Sequence, residues 1–388
     1  MLTHYTAFFV FRQLFLYEFI KNSCKIPKNK IYYIPTSDLR HRLSPVKEEN
    51  TSIEAYMKFW QLTAPRQLHH EANPNELKLK EKSAKVKITH ALLSDCDISA
   101  FLGESNGKYP RTIGRFAIGI ATETSEDCYI KKGDRIYLPD VIDDEETEEN
   151  ILIAGETAEG RFLDFTVAEE DKAYILPASV TDEAAFLIDA VALAERIIDE
   201  ADIKIGDHVL VVGGGMYGNI LCQILIYHRI VPILADNNPV HLEWAKKSGI
   251  YYTFQNDDNL KNNLLKVTGG KLADAVVYLA FANKSDPSSF FPLVARNSLV
   301  AIAAKSKENI NVNLQSAIKN NLTIKGITES HEYISTAINL LANKAVNYSA
   351  FPYFTHPEEE LPSLLEEYSK EDKRLRLTEE LHLVKFVI

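Results

Sequence analysis

Three glycines spaced Gly213-x-Gly215-x-x-Gly218 stand where this chain is best equipped to hold a charged ligand. Just before them, Val209–Val212 is an apolar run with three valines, which reads as a buried strand of a parallel sheet. Just after them, Asn219–His228 reads as a helix. In such a turn the first glycine permits the tight bend and the second lets a pyrophosphate approach the backbone. The third lets helix and strand pack closely. The diphosphate then rests on the unpaired amides and positive end of the helix, so Met216 and Tyr217 join the three glycines as candidate cofactor residues. A second apolar run, Ile230–Ala235, ends in Asp236, 18 residues past Gly218. A carboxylate there accepts hydrogen bonds from the two hydroxyls of an adenine ribose and repels a 2′-phosphate, so NAD(H) is expected over NADP(H). The alternative is a structural glycine turn that binds nothing.

The chain that must position this turn has 388 residues, enough for two domains with real cores. A net charge of −11 argues against a general binder of nucleic acid or anionic membrane. Four scattered cysteines, Cys24, Cys96, Cys128 and Cys222, form no C-x-x-C pair, which suits a reducing cytoplasm and excludes a four-cysteine zinc ribbon. No uninterrupted apolar run is long enough for a transmembrane helix.

Residues 1–56 differ from the rest. Ala7–Ile20 is rich in Phe and Leu but interrupted by Arg12, Gln13 and Glu18, and Lys21–Asn50 is basic and spaced by prolines. This part reads as a loosely attached extension, either preceding a natural start at Met57, or forming an amphipathic helix that caps the domain, or making a dimer contact. From Phe59 the pattern is strand-like: Phe59–Leu62, Glu76–Leu79, Ala84–Thr89, Ala117–Thr122, Ile136–Leu138, Ile151–Ala154, Phe162–Val167 and Ala173–Leu176. Asp140–Asn150 carries seven carboxylates in eleven residues and reads as a solvated loop. A helix is expected from Ser179 or Thr181, with helical spacing through Ala184–Ala201. Past the glycines, strands and helices alternate: Ile230–Ala235, Pro239–Lys247, Tyr251–Phe254, Leu260–Val267, Ala275–Leu279, a helix at Phe290–Val294, Leu299–Ala304 and Leu322–Ile327. Such alternation implies a parallel sheet with helices on both faces. Helices at Ser335–Asn343 and Glu358–Tyr368 and a strand at Leu381–Ile388 close the chain.

With the nucleotide turn, further motifs in the same order resemble the medium-chain dehydrogenase/reductase superfamily, zinc alcohol dehydrogenase type, over Met57 to Ile388. They are Ser94-Asp95-Cys96-Asp97-Ile98 before Gly103, and Tyr109-Pro110-x-x-x-Gly114 leading into Gly119-x-x-x-Glu123. Gly133-Asp134-Arg135-Ile136, Gly160-Arg161-Phe162, Leu176-Pro177, Ala245-Lys246-Lys247-x-Gly249 and Thr268-Gly269-Gly270 follow. Trp60-Gln61-Leu62-x-Ala64-Pro65-Arg66 also looks like the start of polyol- and pentitol-phosphate-reducing members. The resemblance implies an α/β fold: a GroES-like β-rich catalytic domain (57–193 and 329–388) with a Rossmann-type doubly wound parallel sheet (194–328) inserted in it.

The metal chemistry of that family does not transfer to these residues. Its zinc-binding members use a Cys in a Gly-Ile-Cys-Gly-Ser/Thr-Asp segment, a His-Glu pair after Gly, and a further Cys or Glu. Anchored on Asp97, the Cys position is Ser94; anchored on Gly114, the His-Glu pair is Arg115-Phe116; the last ligand falls near Asp189. Serine, arginine and phenylalanine do not ligate zinc, and an arginine does not give up its proton to do so. The four-cysteine structural lobe is missing as well, so no zinc is expected. A slip recruiting Cys96 and His90 is the alternative. Without the metal, Arg115 offers a fixed positive charge and two donors and Ser94 a third, with Asp97 and Asp189 to orient the arginine. The competing reading is that Arg115 pairs with Asp97 or Asp189 and fills the vacated pocket as structure. Tyr217 either covers the nicotinamide or packs on the sheet, and His69-His70 lies in a polar, exposed stretch.

The function expected from this reading is hydride transfer between NAD(H) and a small alcohol or carbonyl compound, with a polyol or sugar phosphate among the candidates, without zinc. Its rivals are a non-catalytic NAD-binding protein that keeps the fold and a zinc enzyme with displaced ligands. A cytoplasmic setting is expected from the scattered cysteines and a homodimer from the resemblance, joined through an edge strand near Leu299–Ala304.

Overall fold

The computed structural model describes residues 57–75, 77–105, 107–142, 152–279, 286–303, 312–328 and 331–386. They belong to one compact unit, Ala55–Ile388. The expectations for residues 1–56, and for all but the first residues of the acidic run, lie outside the described residues.

The first half is β-rich. Its strands are β1 (Met57–Ala64), β2 (Gln67–Asn73), β3 (Ser83–Leu93), β4 (Arg111–Thr112), β5 (Ala117–Thr124), β6 (Arg135–Leu138), β7 (Val141–Ile142), β8 (Leu152–Ile153), β9 (Phe165–Glu169) and β10 (Tyr174–Ile175). One helix, α1 (Asp95–Leu102), follows β3, and α2 (Asp182–Ala185) and α3 (Ile188–Glu200) lead into the second half. There, β11 (His208–Val212), α4 (Met216–Tyr227), β12 (Val231–Asp236), α5 (Pro239–Lys247), β13 (Tyr252–Gln255), α6 (Leu260–Val267), β14 (Ala273–Tyr278), β15 (Val294–Ile302), α7 (Leu314–Asn320) and β16 (Thr323–Gly326) alternate. The chain then returns through α8 (Ile334–Ala342), β17 (Tyr353–Pro357), α9 (Leu361–Tyr368), α10 (Glu371–Arg374) and β18 (Leu381–Lys385).

The second-half sheet has the order β13-β12-β11-β14-β15-β16 with every pairing parallel. Read from its own first strand this is the 3-2-1-4-5-6 order of a dinucleotide fold. The apolar run of β11 is explained by burial on both faces: Val209 and Val211 join one core, Leu210 and Val212 the other. The β-rich sheet turns on β3, which pairs with β5, β9 and β18, so the C-terminal return completes the first half.

Four expectations are corrected. Phe290–Val294 is not an α-helix: a 3-10 turn over Pro287–Leu293 contains Pro292, which lacks an N–H, and the chain enters β15 at Val294. Residues 77–79 lie outside any strand, and the strand there is β2, which pairs with β1 from Met57↔Asn73 to Ala64↔Gln67. Five of its seven residues are exposed, so it carries no apolar alternation to read. The helix expected over Ala184–Ala201 is broken after Ala185 and resumes at Ile188. Finally, β15, which contains Leu299, is not an edge, because it pairs with β14 on one side and β16 on the other.

Candidate active site

The glycine turn is shaped by three different demands on its residues. Gly213 has φ +103°, a left-handed conformation that glycine adopts without penalty. A Cβ on Gly218 would lie 1.8 Å from the Gly213 carbonyl oxygen, so only glycine lets α4 start this close to β11. Gly215 is different: among the described residues a Cβ there would meet only His241 Cε1, at 3.8 Å. The room in front of Gly215 is what a diphosphate needs to reach the first-turn amides of α4, which have no acceptor within the helix. The Met216 side chain is buried in the core, so its contribution to such a site is its backbone. Tyr217 packs on the same core and stands within electrostatic reach of Tyr137.

Asp236 ends β12 and is 7% exposed. Its Oδ2 accepts the Gly214 amide at 2.5 Å and pairs with His241 Nδ1 at 2.9 Å, and its Oδ1 accepts the Asn238 amide at 2.6 Å. Burial works against its charge, but His241 and the two amides hold its pKa below the usual carboxylate range. On the other side of the ring, His241 Nε2 lies 2.9 Å from Glu379, which the C-terminal return brings in just before β18. Burial alone would favour the neutral imidazole, yet the two carboxylates push its pKa up to about 9. The raised pKa contributes stability that is complete below the unfolded value near 6.5 and is lost as pH rises through 9. The contribution is on the order of 3 kcal/mol. Melting curves from pH 6 to 10 are expected to show a larger alkaline loss for the native chain than for His241→Gln, and equal losses would contradict this.

The second cluster is built around the start of α1. Asp97 Oδ2 accepts both the Ser94 amide (2.8 Å) and the Ser94 hydroxyl (2.6 Å), and its Oδ1 accepts the Gly114 amide at 2.8 Å. Asp97 thus caps the helix and fixes the Gly114 turn that presents Arg115. Its pKa is raised by burial, against the pull of Ser94, Arg115 and Gly114. Arg115 donates to Asp140 Oδ2 (3.2 Å) and Glu156 Oε2 (2.8 Å), with its side chain 14% exposed. Burial opposes its charge, but Cys96, Asp140, Asp97 and Glu156 together hold its pKa above the usual value. Arg115, Asp97, Cys96, Ser105, Arg111 and Glu156 all face one pocket of about 270 Å³.

The four sequence-derived residues therefore do not form one group. Ser94, Asp97 and Arg115 are together, but Asp189 stands apart and accepts the hydroxyl of Tyr137. The carboxylates that bind Arg115 are Asp140 and Glu156, rather than Asp97 or Asp189. Asp140 begins the acidic run read as a solvated loop, yet β6 and Pro139 deliver it into the interior, where it is 3% exposed. Its position directly after a strand was the available signal; Glu156, 41 residues from its partner, had none. His69 and His70 are exposed as expected, although β2 carries them and His70 stacks on Trp60 at 4.6 Å.

Zinc does not fit the donors at the family's ligand positions. The Ser94 hydroxyl is committed to Asp97, Arg115 is a cation held by two acids, Phe116 packs in the core and Asp189 is bonded to Tyr137. Among the described residues no group of three or more His, Cys, Asp or Glu side chains is placed to hold a metal ion. His90 lies beside Thr89 and Asp182, and burial lowers its pKa.

Helix α1 is itself pinned from the C-terminal return. Arg374 pairs with Asp95, donates to Glu104 at 2.9 Å and to Ser99 Oγ at 2.6 Å. Arg374→Ala is expected to destabilise the chain by about 1–3 kcal/mol, since it frees partly screened acids and one hydroxyl. Urea denaturation checks this, and an unchanged midpoint would contradict it.

No protein-family model matches the chain. Among curated proteins, sorbitol dehydrogenase of Halalkalibacterium halodurans is 25% identical over 197 residues, 50% of this chain and 57% of that protein. The starvation-sensing protein RspB of Escherichia coli is 25% identical over 205 residues, 47% of this chain and 60% of that protein. The chain thus spans little more than half the length of these two relatives. Among solved structures, the rspB alcohol dehydrogenase of Escherichia coli CFT073, complexed with NADH, superposes with a TM-score of 0.72 at 20% identity, covering 85% of this chain and 99% of that one. Sheet order and glycine turn agree with these comparisons: the chain has the fold of the medium-chain dehydrogenase/reductase superfamily and is similar in sequence to sorbitol dehydrogenase.

Proposed function

We propose that this chain is an NAD(H)-dependent oxidoreductase acting on a small alcohol or carbonyl compound, in which Arg115 stands where the family's zinc enzymes place a histidine ligand. The observation that carries the cofactor half is the room kept in front of Gly215, between a Gly218 that admits no side chain and the Asp236 carboxylate. When bound, the dinucleotide supplies or accepts the hydride. Gly213, Gly215, Met216, Tyr217 and Gly218 receive its diphosphate side, and Asp236 receives the adenine ribose. On the substrate side, Arg115 offers N–H donors to an oxygen on which charge develops, while Ser94 and Asp97 position it through the Gly114 turn. Polyols and their ketones are the first class to try, because one relative is named sorbitol dehydrogenase. The solved rspB structure holds NADH, in keeping with the cofactor expected from Asp236.

The same geometry gives the rival reading its support, since both acids on Arg115 already use its donors. A non-catalytic NAD-binding protein would bind NADH and turn over nothing. Stopped-flow and steady-state absorbance with NADH or NADPH against ketoses, aldehydes and phosphorylated sugars separates the two. Turnover with NADH supports the proposal, and tight NADH binding with no turnover across the set supports the rival. Homodimerisation remains part of the proposal, with β16 now the outermost strand available for it. Among the described residues no helix is long and apolar enough to cross a membrane.

A further inference from the structure

The room in front of Gly215 has a charged wall. Among the described residues, the neighbour of a Cβ built on Gly215 is His241 Cε1 at 3.8 Å. A Cβ on Gly214 would lie 3.3 Å from both His241 Cβ and Asp236 Oδ2. His241, in the first turn of α5, therefore borders the same room as the first-turn amides of α4. Cε1 is the carbon between the two ring nitrogens, so the ring turns its charge-bearing edge toward that room.

The contacts of the ring require it to be an imidazolium. Nδ1 lies 2.9 Å from Asp236 Oδ2, and Nε2 lies 2.9 Å from Glu379 Oε1. Ionised carboxylates only accept, so both contacts are hydrogen bonds only when both nitrogens carry protons. Asn238 Nδ2 also lies 3.2 Å from Nε2, but that contact is longer and uncharged. The charged groups facing the ring are Asp236 at the end of β12 and Glu379 from the C-terminal return, while α5 adds the Trp244 ring at 5.4 Å.

A neutral imidazole has a single N–H, so one of the two carboxylates would face a nitrogen lone pair. Two carboxylates around one cation carry a formal charge of −1, and around a neutral ring −2, beside the place a diphosphate would take. Asp236 is affected directly. Its Oδ2 is filled by the Gly214 amide and His241, and its Oδ1 takes the Asn238 amide. Among the described residues this leaves Oδ1 a lone pair for a ribose hydroxyl, in an orientation that the His241 proton helps to hold.

We infer that His241 is a positioning residue for the cofactor: NADH binds the form of the chain in which this ring is charged, and its affinity falls when the proton held between Asp236 and Glu379 is lost. The inference rests on reading the glycine turn as the dinucleotide site. Because the ring loses its proton near pH 9, affinity is complete below that pH and declines above it.

NADH fluorescence titrations from about pH 6.5 to about pH 10.5 test this on the native chain, His241→Gln and Glu379→Gln, with circular dichroism at each pH to follow the fold. The native Kd is expected to rise at least about tenfold across the alkaline step. In His241→Gln that step should vanish. Glu379→Gln keeps the shape of the side chain but removes one carboxylate, so the step should stay and move to lower pH by about one unit or more. A merely structural link would weaken binding without moving the step. Should His241→Gln fail to fold, the position of the step in Glu379→Gln decides. Absence of NADH binding at every pH would overturn the dinucleotide reading and this inference together. Binding at neutral pH with a flat native Kd, an equal rise in His241→Gln, or an unmoved step in Glu379→Gln would overturn this inference alone.

Discussion

Arg115→Ala is expected to lower NADH-linked turnover by about 10²–10³-fold while leaving NADH affinity within a small factor of the native value. The magnitude is that of removing one preorganised donor from the place where charge develops. The separation of effects follows from position. Among the described residues Arg115 bonds only Asp140 and Glu156, whereas the glycine turn is organised by Gly213, Gly218 and Asp236. The substitution also leaves Asp140 buried without its cation, so a stability loss of a few kcal/mol is expected, up to about 3–5 if the pair behaves as fully buried. Arg115→Lys keeps the charge but cannot hold both acids at once, and it should recover part of the stability and less of the turnover. Steady-state kinetics beside NADH fluorescence titration read the two quantities separately. Unchanged turnover in Arg115→Ala would reduce Arg115 to a filler of the pocket.

The second large effect is expected in the glycine turn, where two neighbouring glycines should fail in opposite ways. Gly215→Val places its side chain in the room a diphosphate would use. Because φ at Gly215 is −58° and, among the described residues, the nearest neighbour to an added Cβ is 3.8 Å away, the fold should tolerate it. NADH affinity should fall by roughly 100-fold or more, as charge-assisted contacts to the first-turn amides are blocked. Melting temperature should hardly move. Gly218→Ala puts a methyl group 1.8 Å from a backbone oxygen, so it should unfold or strongly destabilise the chain before affinity can be discussed. Calorimetry of both variants with and without NADH tests this contrast. A Gly215→Val protein that binds NADH normally would contradict the placement of the diphosphate.

The parallel sheet was legible because its signals are local. Val209–Val212, the three glycines and the alternation through Leu260–Val267 each report their own neighbourhood, and burial on both faces of β11 leaves an unbroken apolar run. The polar strand β2 was not legible, since backbone pairing with β1 holds it and its side chains face water. At the site, Ser94, Asp97 and Arg115 could be found through motif spacing, because one helix cap and one glycine turn bring them together. Asp140 and Glu156 could not be found in that way. Their grouping depends on how the chain folds back across tens of residues, and Asp140 was concealed inside a run of acids that otherwise looks solvated. The link from Asp236 through His241 to Glu379 is of the same kind, because its far end arrives from the C-terminal return.

The central claim is that an arginine occupies the polarising position of a zinc enzyme while the dinucleotide site is kept. It is tested most directly by NADH-linked turnover on protein dialysed against a strong chelator, then with zinc added back, alongside elemental analysis of the untreated protein. The result expected is turnover unaffected by chelation or by added zinc, with zinc far below one equivalent per chain. Turnover that disappears on chelation and returns with one equivalent of zinc would contradict the account.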